Sequence, residues 1–573
     1  MESTKTDKLI IYQLLPRLYG NTTQLNKNYG SIEENGSGKF NDINDKALQE
    51  IKKMGFTHVW FTGVIEHATM TDYSQFGINP DDPDIVKGRA GSPYAIKDYY
   101  DVHPDLAVDV KNRMAEYEAL IQRTHQSGLK VLMDLVPNHV ARTYASDVKP
   151  AGVRDFGQDD DKSKAFDANN DFYYTPGQPF VVPQGYNPGG DEFESPLKDG
   201  KFEENPAKAT GNDAFSAWPS INDWFETVKL NYGVDYMNGR QSHFDPIPPM
   251  WNKIYDILHF WSEKGIDGFR CDMVEMVPIE FWGWMIPKIK AVYPDVIFIG
   301  EAYDVNKYKG YIVDGKFDYL YDKVGLYDAL RRLTCNDYHA SAWDINKVWN
   351  HDCKDIDSHM LRFMENHDEQ RIASPEFAGN PWLAVPGMIV TATLSTGPVM
   401  VYFGQEVGEP ATGTEGFSGN DGRTSIFDYW GVPEHQKWLN NGKMDGGQLS
   451  ESQKSLSAFY GRLLNIVQQK EAIRDGKFWE LMLENQNSES GFNDRIYAYL
   501  RFTASQRILV TVNFNRDERK LHVKLPADLL SQLHVSGNMQ FVDLLGGAKY
   551  SVGDIASGIS ITMPASSGVM LEF

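Results

Sequence analysis

Gly268-Phe-Arg270-Cys-Asp272 is a short apolar run that ends on a carboxylate, with an arginine two residues earlier. An amphipathic stretch from Trp251 to Lys264, closed by Gly265, leads into it and reads as a helix. The same form recurs along the chain. Lys130-Val-Leu-Met-Asp134 runs into Leu-Val-Pro-Asn138-His139, Val296-Ile-Phe-Ile299 runs into Gly300-Glu301, and Met360-Leu-Arg-Phe363 precedes Asn366-His367-Asp368. Polar residues at the ends of several apolar strands, with room for a helix between each pair, are how a (β/α)8 barrel gathers an active site at one face.

Working outward, Leu9-Ile-Ile-Tyr-Gln13, His58-Val-Trp-Phe-Thr62, Phe317-Asp-Tyr-Leu-Tyr321 and Val399-Met-Val-Tyr-Phe403 complete eight strand candidates. Helices are predicted from Ala47 to Met54 and from Asn112 to Ser127. Between His139 and about Pro246 the alternation stops in a Gly-, Pro-, Asp- and Asn-rich stretch too long for an ordinary connection. After about Gly491, short alternating runs such as Arg495-Ile-Tyr-Ala-Tyr-Leu500 and Ile508-Leu-Val-Thr-Val-Asn-Phe514 predict an antiparallel β-sandwich. The expected fold class is α/β, a TIM barrel with a subdomain inserted after strand 3 and a C-terminal sandwich. The expected domains are residues 1–139 and 247–490 for the barrel, 140–246 for the insertion and 491–573 for the sandwich.

The 573 residues carry a formal charge of −23. Such a chain repels nucleic acid and anionic membrane surfaces, so neither is expected as a partner. A neutral, hydroxyl-rich substrate fits better, and thirteen Trp and twenty-nine Tyr supply the flat, polar-edged rings that line sugar clefts as well as cores. Cys271, Cys335 and Cys353 cannot all pair and lack zinc-type spacing. They point to inert thiols in a reducing compartment. No run has the length of a signal peptide or a membrane span. The expected location is cytoplasmic as the chain stands, or periplasmic or exported if a leader has been removed. Oligomeric state is not legible.

Residues two apart on a strand share a side, so Arg270 and Asp272 point together. The guanidinium is expected to depress the pKa of Asp272 and keep it ionised, as a nucleophile requires. Glu301, emerging from an apolar strand, is expected to hold a proton and act as a general acid. Asp368 adds a third carboxylate, His139 and His367 add imidazoles, and Asp134 and Asn138 anchor a turn. Histidines and carboxylates also bind metals, but the ligand spacings of familiar zinc sites are absent.

These segments resemble the signature regions of the α-amylase family, glycoside hydrolase family 13, on Asp134, Asn138, His139, Arg270, Asp272, Glu301, His367 and Asp368. Ile11-Tyr-Gln-Leu-Leu-Pro-Arg17 is similar to that family's first strand, Tyr402-Phe-Gly-Gln-Glu406 to its eighth, and Tyr94 to its sugar-stacking tyrosine. The resemblance implies a retaining α-glucan hydrolase acting on α-1,4 bonds of starch or maltooligosaccharides. Asp272 would be the nucleophile, Glu301 the acid and base, and Asp368 the group that holds the sugar's 2- and 3-hydroxyls. Tyr94, His139, Arg270 and His367 would bind substrate or orient these groups. In a retaining enzyme the two reacting carboxyls lie roughly 5–5.5 Å apart.

The chain departs from the family after the nucleophile. Met273, Val274, Glu275 and Met276 stand where a typical member has Ala-Ala-Lys-His. The linkage therefore stays open, although α-1,4 is the family's commoner choice. No cofactor is expected for the chemistry. A structural calcium is a second expectation, with Asn138 as its candidate ligand; the runs Asp159-Asp160-Asp161 and Asp167 to Asp171 read either as calcium loops or as solvated surface. Asp421-Gly-Arg-Thr-Ser-Ile-Phe-Asp428 reads equally as an acceptor-side lining or a surface loop. Two other functions remain: a transglycosylase or sucrose- or trehalose-converting enzyme on the same scaffold, and a sugar-binding or transporter-accessory protein without catalysis.

Overall fold

The eight expected strands pair side by side, all parallel, in the computed structural model, which describes residues 8–414, 419–487 and 489–573. They are β1 (Ile10–Leu14), β2 (His58–Phe61), β3 (Lys130–Leu135), β4 (Gly268–Cys271), β5 (Ile297–Gly300), β6 (Tyr319–Tyr321), β7 (Met360–Leu361) and β8 (Val399–Tyr402). Their order is β7-β6-β5-β4-β3-β2-β1-β8. A parallel bridge between Arg362 and Val399 closes the ring, with Arg362 N donating to Pro398 O at 3.0 Å and Met400 N to Arg362 O at 2.9 Å. The strands read as largely apolar runs because helices cover one face and a packed interior fills the other.

Each strand is followed by a helix: α1 (Asp45–Lys53), α2 (Arg113–Gln126), α3 (Pro249–Glu263), α4 (Ile279–Val292), α5 (Tyr308–Val313), α6 (Asp328–Thr334), α7 (Val385–Thr393) and α8 (Glu451–Gln469). Their starts are set by local chemistry. The Asn44 side chain accepts from Lys46 N and Ala47 N at the head of α1, and Ser450 and Gln453 form a capping box on α8. α3 begins two residues before the expected Trp251, because Pro249 suits the first turn of a helix, where its missing N–H is not needed.

The stretch after β3 forms only short pairings. Tyr174–Thr175 pairs with Ala207–Lys208, Val234–Asp235 with Gln241–Ser242, and His139–Ala141 with Thr227–Lys229. The last of these ties the stretch to the C-terminal ends of the barrel strands. The terminal unit is antiparallel: β9 (Lys477–Glu480), β10 (Ile496–Phe502), β11 (Arg507–Asn513), β12 (Arg519–Val523), β13 (Met539–Asp543), β14 (Lys549–Val552), β15 (Ile559–Met563) and β16 (Ser567–Glu572). Six strands form one sheet, β9-β10-β11-β16-β13-β14, and β12 pairs with β15 alone. Leu500, Leu509, Leu521, Ile561 and Leu571 pack in a core separate from that of the barrel. The terminal sheet begins before residue 491, because Lys477–Glu480 pairs with the edge of β10. Residues 1–7, part of the segment read as lacking a signal sequence, lie outside the described residues.

No helix among the described residues is long and apolar enough to cross a membrane. The three cysteines are free, with Cys271 and Cys353 buried.

Candidate active site

Parallel register places the site. Arg270 on β4 is the direct partner of Asp134 on β3 and of Ile299 on β5. Past the strand ends, Asp272 N still donates to Leu135 O at 2.9 Å and Glu301 N to Cys271 O at 3.0 Å, so both carboxylates leave the barrel at one level. Asp272, Glu301, Asp368, Tyr94 and His139 line a single cleft at this face. Arg270, Asp134 and His367 form its buried floor.

Arg270 is the hub. Nη1 donates to Asp272 Oδ1 at 2.8 Å and to Asp134 Oδ1 at 3.2 Å, while Nε donates to the Tyr321 hydroxyl at 3.2 Å. Nη2 lies 2.8 Å from Glu301 Oε2, a charge contact without hydrogen-bond alignment. The guanidinium carbon lies 5.4 Å from each of the Trp60, Tyr94 and Tyr321 rings, which keep it out of water. Trp60 Nε1 donates to Asp134 Oδ2 at 2.9 Å and fixes that carboxylate in turn.

The expected electrostatics of Asp272 need correction. Its pKa lies well above the ordinary carboxylate value, first because it is buried and next because the Glu301 carboxylate stands in hydrogen-bonding contact with it. Arg270 opposes both effects and loses, because its single charge is divided among Asp134, Asp272 and Glu301. Asp272 is thereby held toward its protonated form in the free protein.

Glu301 also differs from expectation, since polar donors surround it rather than an apolar wall. Met273 N donates to Oε2 at 2.9 Å and the Tyr303 hydroxyl to Oε1 at 2.6 Å. Met273 itself adopts the left-handed conformation (φ 45°, ψ 48°). Such a conformation is uncommon outside glycine.

Asp368, with a side chain 34% exposed, stands at the open side of the cleft. What burial it has pushes its pKa up, but His367, Arg270 and Arg423 outweigh this and hold it below the ordinary value. Gln13 Nε2 lies 2.7 Å from His367 Nδ1 and donates to Thr62 Oγ1 at 3.0 Å. With Nδ1 taken as the acceptor, Nε2 carries the proton toward the Tyr94 hydroxyl at 2.5 Å and Asp368 Oδ2 at 3.1 Å. His139 is neutral, its pKa lowered to about 3 by burial and by the nearby Lys229 ammonium.

Asn138 does not fit a calcium ligand here. Its Oδ1 accepts from the buried Lys229 Nζ at 2.8 Å, and the same ammonium sits 2.6 Å from Asp213 Oδ1 and 5.0 Å from the Tyr236 ring centre. A lysine thus supplies positive charge where a cation would bind. The aspartate runs are likewise engaged. Asp159 pairs with Arg154, Asp161 and Asp167 pair with Lys164, and Asp160 accepts from Asp171 N, Phe172 N and the Tyr174 hydroxyl. Residues 421–428 are more than a surface loop: Ile426 and Phe427 line the cleft, with Lys87 Nζ 4.5 Å from the Phe427 ring centre.

Sequence reasoning missed Gln13, Trp60, Tyr303 and Tyr321. Tyr303 carried a signal, since it stands two residues beyond Glu301. The others are ordinary strand residues until the barrel closes.

The model of the family described as "Alpha amylase, catalytic domain" matches residues 13–524. "Alpha-amylase 3" of Dictyoglomus thermophilum is 23% identical over 456 residues, covering 74% of this chain and 74% of that protein. The α-1,4-glucan:maltose-1-phosphate maltosyltransferase of Cereibacter sphaeroides is 33% identical over 151 residues, 22% of this chain and 25% of that protein. The maltogenic α-amylase of Thermotoga neapolitana superposes with a TM-score of 0.61 at 19% identity, covering 99% of this chain and 98% of that one. With the family's model spanning the barrel and part of the terminal sheet, the chain belongs to the α-amylase catalytic-domain family of glycoside hydrolases.

Proposed function

We propose that the protein is a retaining α-glucan hydrolase that cleaves α-1,4 bonds of starch-type oligosaccharides through a covalent glycosyl-enzyme. The observation that carries this reading is the buried Asp272–Glu301 pair, two carboxyls held by one guanidinium, with Asp368 facing the same cleft. When a sugar enters, Asp272 must give up its proton to act as the nucleophile, and Glu301 must carry one to act as the acid. Glu301 then protonates the glycosidic oxygen as Asp272 attacks the anomeric carbon, forming an ester and releasing the shortened glucan. Water next attacks the same carbon, gives its proton to Glu301 and frees Asp272. Asp368, held ionised by His367, accepts hydrogen bonds from ring hydroxyls as the ring flattens, and Tyr94 and His139 wall the same sugar. Carboxylates and water supply every step, and no cofactor is required.

A second reading is transfer to a sugar acceptor. Ile426, Phe427 and Lys87 line the cleft, and a maltosyltransferase is among the chain's relatives. Water and a sugar hydroxyl attack the same intermediate.

Time-resolved proton NMR of the protein with maltoheptaose tests both. Shorter products appearing first as the α-anomer support the retaining hydrolase, while products longer than the substrate indicate transfer. First appearance of the β-anomer contradicts the mechanism, and absence of turnover contradicts the substrate class. Asp272→Asn should lower turnover by about 10⁴-fold or more while sugar binding persists.

A further inference from the structure

Tyr94 enters the active site from a hairpin whose two strands, Ile65–His67 and Ile96–Val102, carry a second group of carboxylates. Glu66 pairs with Asp98, and register shifts on either side of Glu66 bend the hairpin there. Glu66, Asp98 and Asp101 are 1%, 0% and 2% exposed, and one oxygen of each lies within 4.8 Å of the others.

Two of the three are partnered. Asp98 accepts from Tyr100 N at 2.8 Å, Ser146 Oγ at 2.7 Å and Asp147 N at 2.9 Å. Asp101 accepts from Val102 N at 2.7 Å and from Arg113 Nε at 2.9 Å. Glu66 is different: neither of its oxygens meets a donor among the described residues, although its carboxylate points into the cluster. Lys97, next in sequence, offers no relief, because its ammonium is engaged by Asp81 Oδ2 at 3.2 Å and by Asn79 O. Three carboxylates therefore face one guanidinium away from water. Burying such charge unpaired costs several kcal/mol.

We propose that Glu66, Asp98 and Asp101 form a structural site for one divalent cation, calcium by size and donor type. The donors are all oxygen, which selects a hard ion, and one dication balances the excess of two negative charges. Calcium accepts irregular sets of carboxylate oxygens, whereas magnesium demands near-ideal octahedral geometry and keeps several of its waters, which a buried cluster of three fixed carboxylates does not favour. The bound ion uses the two free oxygens of Glu66 and locks three parts together. These are the hairpin that carries Tyr94, the start of the inserted stretch through Ser146 and Asp147, and α2 through Arg113. The site is separate from Asn138, where Lys229 already supplies the charge.

The alternative source of neutrality is a proton on Glu66, favoured by burial and by Asp98, which raise its pKa well above the ordinary value. Glutamine separates the two, because it copies a protonated glutamate in shape and polarity but cannot balance a dication. The full-length protein is stripped with chelator, dialysed, and re-equilibrated with calcium chloride or magnesium chloride. Bound metal is counted by mass spectrometry, and Tm is followed as each salt is added. The expected result is about one calcium retained per chain, a saturable calcium-dependent rise in Tm, and loss of both in Glu66→Gln. Asp101→Asn is the second variant, with the same two readouts, and circular dichroism confirms that each is folded. Calcium retained at the parental level by both folded variants would overturn the proposal. So would a parent that holds no calcium and shows no Tm response.

Discussion

The backbone N–H of Met273 is bonded to the Glu301 carboxylate at 2.9 Å, and Met273 is left-handed at that bond. The residue after one carboxylate of the reacting pair thus orients the other.

Backbone shape at residue 273 should therefore matter more than its side chain for turnover. Met273→Gly keeps the N–H and suits φ 45°, so kcat should hold while KM rises severalfold from lost cleft contacts. Met273→Val places a branched side chain where it is strained by about 1–2 kcal/mol. Both kcat and Tm should fall. Steady-state kinetics with maltoheptaose and thermal melts check the contrast.

Arg270→Lys should lower kcat by at least about 100-fold with a small change in KM. An ammonium cannot reproduce the fork that meets Asp134, Asp272 and Glu301 together. Steady-state kinetics on folded variant, verified by circular dichroism, measure the effect.

Lys229→Met should destabilise the protein by about 1–3 kcal/mol, since it strands Asn138 Oδ1 and the partly exposed Asp213 carboxylate. Asn138→Ala removes part of the same contact. The two losses should be less than additive when denaturant unfolding is measured for both single variants and the double variant.

His435 gives a pH signature. Buried against Tyr19 and Trp438, with its Nε2 near Tyr19 O at 3.0 Å, it has a pKa lowered from 6.5 to about 3. Folded, it stays neutral; unfolded, it takes a proton below about pH 6.5. Its stabilising contribution is present above pH 6.5 and is lost as pH falls toward 3. The Tm advantage of the parent over His435→Gln should shrink steadily between pH 7 and pH 4.

The barrel was legible because each strand is a largely apolar run, and a buried parallel strand needs no finer pattern. β7 was overread by its end: only Met360–Leu361 pair with β6, after which Arg362 turns to Val399 and to the carboxylates of Asp322 and Asp357. The grouping of Asp272, Glu301 and Asp368 was legible because strand ends share one level. Partners contributed from a distance were not. Lys229 meets Asn138 through a strand pairing that spans the inserted stretch, where no periodicity marks a strand. The pKa of Asp272 was misjudged because the local Arg270–Asp272 spacing says nothing about how many other carboxylates share that arginine.

Ring closure has a consequence for biosynthesis. One edge of β1 bonds to residues 399–402, and Lys8 Nζ donates to Ala392 O at 2.7 Å and Ser395 O at 2.6 Å. A ribosome making roughly 5–20 residues per second needs roughly 20–80 s to deliver those partners after β1 emerges. For that interval β1 has an open, apolar edge of the kind that invites wrong strands. The nascent chain is thus most exposed to chaperones and to aggregation before residue 400 is translated, and least so once β8 has seated.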